Sequence, residues 1–157
     1  MNLTEFFTEH AILLLDGATG SQLMARGLRA GECPELWNVN HPLKVQEIAA
    51  MYYHAGSDAV LTNTFGGSFL KLADYGLQDR TYELNFSGAK NALAVRPSGK
   101  YVFASIGPCG KMLEPYGDVS EQEVITSFEI RVEALHDAGV DAFMLETFQD
   151  IRELLCA

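Results

Sequence analysis

The sequence predicts an α/β fold of repeated parallel strand–helix units, and three observations carry that prediction. Four short apolar runs each end in a polar residue or a Gly-containing turn, segments of helical period lie between them, and one eleven-residue pattern occurs twice.

The runs are "AILLLD" (11–16), "AVLTN" (59–63), "YVFASIG" (101–107) and "AFMLE" (142–146), each short enough for a strand and followed by Gly, Thr or Pro. Their ends at 16, 63, 106 and 147 are spaced by 47, 43 and 41 residues, which fits one strand–helix unit per interval.

A helix from about 20 to 28 is expected after the first run. In "HPLKVQEIAAMYYHAG", Val45, Ile48, Ala49, Tyr52 and Ala55 recur on one face, Pro42 suits a first turn, and Gly56 suits a left-handed stop. A third helix is expected over 79–95, "DRTYELNFSGAKNALAV", with Gly88 weakening its interior. In "SEQEVITSFEIRVEALHDAG", Ser120 and Glu123 make a capping box, Val124, Phe128, Val132 and Leu135 form a stripe, and Gly139 ends the helix. "TFQDIRELL" follows the last run as a further helix.

The repeated pattern joins "AGSDAVLTNTF" (55–65) to "AGVDAFMLETF" (138–148) at a constant offset of 83, about two units. A helix stop, a short turn and a strand are reused, with Asn63 and Glu146 in equivalent places. Such units close into an eight-unit barrel or form an open doubly wound sheet. Pattern alone leaves both open, since 157 residues is short for a barrel of about 250.

In either architecture the carboxyl ends of the strands form the functional rim. Asp16, Asn63, Thr64, Ser105, Glu146 and Thr147 fall at that level. Asp16 reads as an Asp-Gly turn or as a carboxylate at the rim. In the second reading, the amides of Gly17 and Ala18 before the next helix face an anion. A carboxylate beside free amides suits a zwitterion: the amides take its carboxylate and Asp16 its ammonium group. Glu146 is a second acceptor for the ammonium, or a cap for the helix that follows.

Other chemistry finds less support. "DGATGS" lacks the Gly-Lys-Ser/Thr ending of a phosphate loop and the full pattern of a dinucleotide site, so a small open-sheet nucleotide-binding domain ranks low. Cys109, in the tight turn "ASIGPCG", has no His in its motif to activate it. His10, His41, His54 and His136 lie away from strand ends. Cys33, Cys109 and Cys156 lack metal or redox spacing, and reduced thiols are expected.

A formal charge of −10, with 11 basic residues scattered along the chain, argues against a nucleic-acid or anionic-membrane partner, which requires a clustered basic surface. With 48% hydrophobic residues, no stretch of about 20 apolar residues and no basic leader, the chain reads as one soluble cytoplasmic domain.

"LLLDGATGSQLMARGL", "GECPELWNVNHP", "AGSDAVLTNTFGGS", "SIGPCGKMLEPYG" and "AGVDAFMLETF", in this order, resemble the homocysteine-binding domain of homocysteine S-methyltransferases, and most of all its cobalamin-dependent, methionine synthase type. The resemblance covers about residues 11–157 and implies a (β/α)8 TIM-barrel, with residues 1–157 supplying roughly its first four units. It assigns Asp16 and Glu146 to the homocysteine ammonium, the amides of Gly17 and Ala18 to its carboxylate, and Asn63, Thr64 and Gly107 to the mouth. It also implies zinc, which lowers the thiol pKa from about 8.5, and methylcobalamin on a separate module as methyl donor. The family's zinc thiolates come from later strands, and Cys33, Cys109 and Cys156 do not match those positions, so no metal ligand and no catalytic residue is expected in this chain. Methyl transfer by these residues alone is not expected. A non-catalytic half-barrel that self-associates through its open edges, or pairs with a missing C-terminal half, is the alternative.

Overall fold

The computed structural model describes residues 3–9 and 12–157. His10 and Ala11, the latter the first residue of the first apolar run, lie outside them.

Three parallel strands, β1 (Ala59–Leu61), β2 (Tyr101–Ile106) and β3 (Ala142–Leu145), form a sheet in chain order among the described residues. Leu61 is level with Phe103, and Phe103 with Ala142. Helix α1 (Leu3–Glu9) precedes them, α2 (Thr19–Ala25), α3 (Trp37–Asn40) and α4 (Pro42–Ala55) lead to β1, and α5 (Phe69–Ala73) and α6 (Thr81–Ala94) lead to β2. Helix α7 (Glu121–Ala138) joins β2 to β3, and α8 (Ile151–Cys156) closes the chain.

The first run departs from its expected strand. Residues 12–16 have no assigned strand, although they lie beside β1. Leu14 O accepts from Asp58 N at 2.7 Å and Ala59 N at 3.2 Å, while Leu14 N donates to Asp58 Oδ2 at 3.0 Å and Leu61 N to Asp16 Oδ2 at 3.0 Å. Two aspartate oxygens thus accept N–H groups that carbonyls would accept in a regular ladder. Leu13 and Leu15 still pack with Ala59, Tyr101, Phe103 and Phe6 on the inner face.

The longer helices follow the sequence signals. Gly56 takes φ 109° after α4, Gly139 takes φ 89° after α7, and Ser120 and Glu123 form both bonds of the capping box. Helix α2 stops short of residue 28 because Gly27 takes φ 112° and Leu28 N bonds back to Leu23 O at 3.0 Å. The third expected helix begins as a 3-10 turn at Gln78–Arg80 before α6. Gly88 has a packing reason: a Cβ there would lie 2.6 Å from Asn38 Nδ2 and 2.7 Å from Thr64 Cγ2. Asp150, not Glu146, caps α8, its side chain accepting from Arg152 N at 2.8 Å.

Every residue of β2 is buried, between the inner cluster and the helices. Val60 and Val102 pack with Ala49, Tyr53 and Ala92, and Ala104 and Ile106 with Phe128 and Leu135. Burial on both faces is what a parallel sheet under crossover helices requires, and it fixes the strand ends as a rigid rim.

Candidate functional site

At the carboxyl ends of the strands lies a cleft of about 530 Å³, with Asp16, Gly17, Ala18, Glu35, Asn63 and Glu146 among its walls. The extended run delivers Asp16, and β3 delivers Glu146 one residue past its last paired position.

Asp16 has one oxygen engaged and one without a partner. Oδ2 accepts from Leu61 N, and the buried Oδ1 has no hydrogen-bond partner. Burial raises its pKa to about 6, against the lowering effect of the Leu61 bond, and the negative charge of Glu146 adds to the rise. Such a carboxyl has an unmet demand for a cationic donor. Glu146 is aimed by Ser105, whose hydroxyl donates to Oε1 at 2.5 Å, while Glu146 N donates to Ile106 O at 3.0 Å.

The run Gly17–Ala18 opens α2 on the exposed side of the cleft, and Ala18 is the residue before the helix. A Cβ on Gly17 would approach Tyr52 Oη to 3.0 Å, so the backbone passes close to that ring.

Asn63 lines the cleft, but its amide donates to Pro34 O at 2.8 Å and Asn38 Oδ1 at 2.9 Å, which joins two loops. Thr64 is fully buried beneath the cleft, donating to Ser105 O at 2.8 Å. Gly107 is buried as well, and its N–H reaches Phe65 O at 3.2 Å. The structure therefore brings Asp16, Gly17, Ala18, Asn63 and Glu146 to one cleft, and puts Thr64 and Gly107 in the layer that supports it.

Under that layer is Arg131, fully buried on α7. Its guanidinium donates to Gly107 O at 3.0 Å, Phe65 O at 2.8 Å, Ser105 O at 2.9 Å and Thr64 O. Burial lowers its pKa to about 10, with Glu35 and Glu146 acting in the opposite direction, so it remains a cation at neutral pH. Sequence reading missed it, yet a signal existed. Arg131 stands on the stripe of Val124, Phe128 and Leu135 at helical spacing, where an apolar residue is expected. Glu35 was missed too: it is buried, accepts from Gly66 N at 2.7 Å and from the Cys33 thiol at 3.3 Å, and so ties the loop after β1 to the loop before α3.

The thiols do not fit a zinc centre. Cys33 packs with Leu72 and Leu84, whereas Cys109 and Cys156 belong to the cluster around Phe128. Burial pushes both the Cys33 and Cys109 thiols up to about 12, which opposes thiolate ligation. Among the described residues no group of three or more His, Cys, Asp or Glu side chains is arranged to hold a metal ion. His41 packs against Trp37 with the rings tilted by 60°, and His54 bonds Ala50 O in its own helix, both away from the cleft. Among the described residues no helix is long and apolar enough to cross a membrane.

A family model described as homocysteine S-methyltransferase matches residues 13–157. Methionine synthase of Mycobacterium tuberculosis (strain ATCC 25618 / H37Rv) is 34% identical over 158 residues, covering 93% of this chain and 13% of the relative. Methionine synthase of Mycobacterium leprae (strain TN) is 32% identical over 160 residues with the same coverage. The metallated form of the homocysteine methyltransferase MmuM from Escherichia coli superposes with a TM-score of 0.81 at 28% identity, covering 98% of this chain and 60% of that one. The chain thus spans a small part of the methionine synthases and less than two thirds of MmuM.

Proposed function

This chain belongs to the homocysteine S-methyltransferase family, and from that premise we propose that its cleft is the amino-acid clamp of a methionine synthase type enzyme. Asp16 and Glu146 receive the ammonium group of homocysteine, and the amides of Gly17 and Ala18 receive its carboxylate. Asn63 shapes the wall; Thr64 and Gly107 act from beneath it by holding the strand ends in register. The observation that carries this reading is the buried Asp16 Oδ1 without a partner, in the same cleft as a second carboxylate. Two carboxylates in one partly buried cleft repel each other, and an ammonium between them relieves both the repulsion and the unmet acceptor.

In this reading residues 1–157 are the N-terminal half of a (β/α)8 barrel. The chain-order parallel sheet, with no reversal of strand order among the described residues, supports it. Its residues bind and orient the amino acid. Thiol activation and methyl transfer are not assigned to them, because the thiols present do not fit zinc. The zinc and methylcobalamin of the full-length family lie outside this assignment. Calorimetric titration with homocysteine tests the clamp: saturable binding that Asp16→Asn weakens strongly at neutral pH is expected, and binding unaffected by that substitution rejects it.

A second feature concerns assembly. Ile12 and Leu14 on one side of the sheet and Phe143 and Leu145 on the other are large, apolar and solvent-exposed. Open parallel edges of this kind are covered in soluble proteins. A C-terminal half or a second copy of the chain would cover them, and light scattering distinguishes pairing from a monodisperse monomer.

A further inference from the structure

Thr147 takes φ 64°, and it is the one non-glycine residue with positive φ among the described residues. That value lies in the small left-handed well, which β-branched side chains strongly disfavour. Its neighbours point to different places. Glu146, on one side, is bonded to Ser105 in the cleft, and Phe148, on the other, lies 6.1 Å from Phe128 in the helix layer.

The internal repeat supplies a control for this geometry. Asn63, Thr64 and Phe65 occupy the same places in the first copy as Glu146, Thr147 and Phe148 in the second. Thr64 has no positive φ; it is buried, and its hydroxyl is bonded to Ser105 O. There the following ring, Phe65, stays 44% exposed and lines the cleft. The same residue types therefore give two backbone courses, and only the left-handed one packs the aromatic ring, partly buried, against the core cluster of α7 while a carboxylate remains at the rim.

We propose that Thr147 is a positioning residue for the clamp: its left-handed backbone, held against the preference of its branched side chain by the anchored residues on either side, turns the chain so that Glu146 faces the cleft while Phe148 docks on α7. The inference rests on the reading of Glu146 as an ammonium acceptor. Glycine at 147 would accept φ 64° without strain but would also open the mirror-β region and broad extended conformations, releasing the carboxylate from one orientation. Asparagine tolerates the left-handed well and keeps the backbone confined.

The test uses the 157-residue chain with Thr147→Gly and Thr147→Asn. Thr147→Gly is expected to weaken homocysteine binding by about five- to tenfold while its unfolding midpoint stays at or above that of the parent. Thr147→Asn is expected to bind within about twofold of the parent. A structural role alone would move affinity and stability together. Carbon-13 NMR of the Glu146 carboxyl gives a ligand-independent reading: Thr147→Gly should shift that signal to where Ser105→Ala puts it in the parent. Parent-like affinity and an unmoved Glu146 signal in Thr147→Gly, or equal losses in the Gly and Asn variants, overturn the proposal. Absence of homocysteine binding by the parent would reject the clamp, and the Glu146 signal would still decide the role of Thr147.

Discussion

The Ser105 hydroxyl donates to Glu146 Oε1 at 2.5 Å, across the ends of β2 and β3. A serine that is 2% exposed has little water to turn to, so its donor is committed to that carboxylate. Hydrogen bonds to charged groups contribute about 1.5–3 kcal/mol, and part of that is expected to appear as loss of stability in Ser105→Ala. Homocysteine affinity should fall as well, by about three- to tenfold, because the acceptor is no longer aimed. Urea unfolding and calorimetry check the two effects separately.

The proposed clamp is expected to depend on pH through Asp16. Its pKa is raised by burial from 3.8 to about 6. A carboxyl with a raised folded-state pKa favours the fold when protonated, so its contribution is fully present below pH 3.8 and is lost as pH rises through about 6. Binding of an ammonium ion follows the opposite course, since it requires the ionised form. Homocysteine affinity is expected to rise as pH passes about 6, and Asp16→Asn should flatten that rise while making the free protein more stable at neutral pH. Affinity titrations between pH 5 and 8, with thermal unfolding at the same points, check the sign of each.

Arg131 is expected to be the costliest single position in the layer beneath the cleft. Arg131→Met removes the shared donor of Thr64 O, Phe65 O, Ser105 O and Gly107 O. Thr64 O, Phe65 O and Ser105 O keep Gly67 N, Gly107 N and the Thr64 hydroxyl as donors, so Gly107 O is the carbonyl left unpaired, at about 1–3 kcal/mol, and the other three add smaller losses. Arg131→Lys should recover only part, because an ammonium lacks the planar fork of donors. Urea denaturation of both variants provides the comparison.

Gly88→Ala sets helix propensity against packing. Alanine favours a helix interior over glycine by about 1 kcal/mol. The added Cβ would lie 2.6 Å from Asn38 Nδ2 and 2.7 Å from Thr64 Cγ2, and both neighbours are buried and hydrogen-bonded. Overpacking of about 1–3 kcal/mol should win. A variant that is more stable than the parent in urea would show that the Asn38 network yields without loss.

The helices were legible because their ends are written in local chemistry: Pro42 with Gly56, and Ser120 with Glu123 and Gly139, each found its expected place. The rim residues were legible because apolar runs end at them, which is how Asp16, Asn63 and Glu146 came to one cleft. What the sequence hid is long-range. Nothing local shows that Asp58 and Asp16 would take over amides from a strand partner, so the first run looked like a strand. Thr64 and Thr147 follow the ends of similar runs, yet the first is buried and the second exposed, and Arg131 from another element takes the Thr64 carbonyl. Arg131 is hidden because the helical stripe continues equally well through Val132, its neighbour, which is only partly buried.

The twice-used pattern has a consequence for how this protein can change. At position 63 an altered side chain is felt first as a loosened joint between loops, through Pro34 and Asn38. At the equivalent position 146 it is felt first at the Ser105 hydroxyl and in the charge of the cleft. One repeated pattern thus serves as a joint between loops in its first copy and, in the proposed clamp, presents a ligand-facing carboxylate in its second.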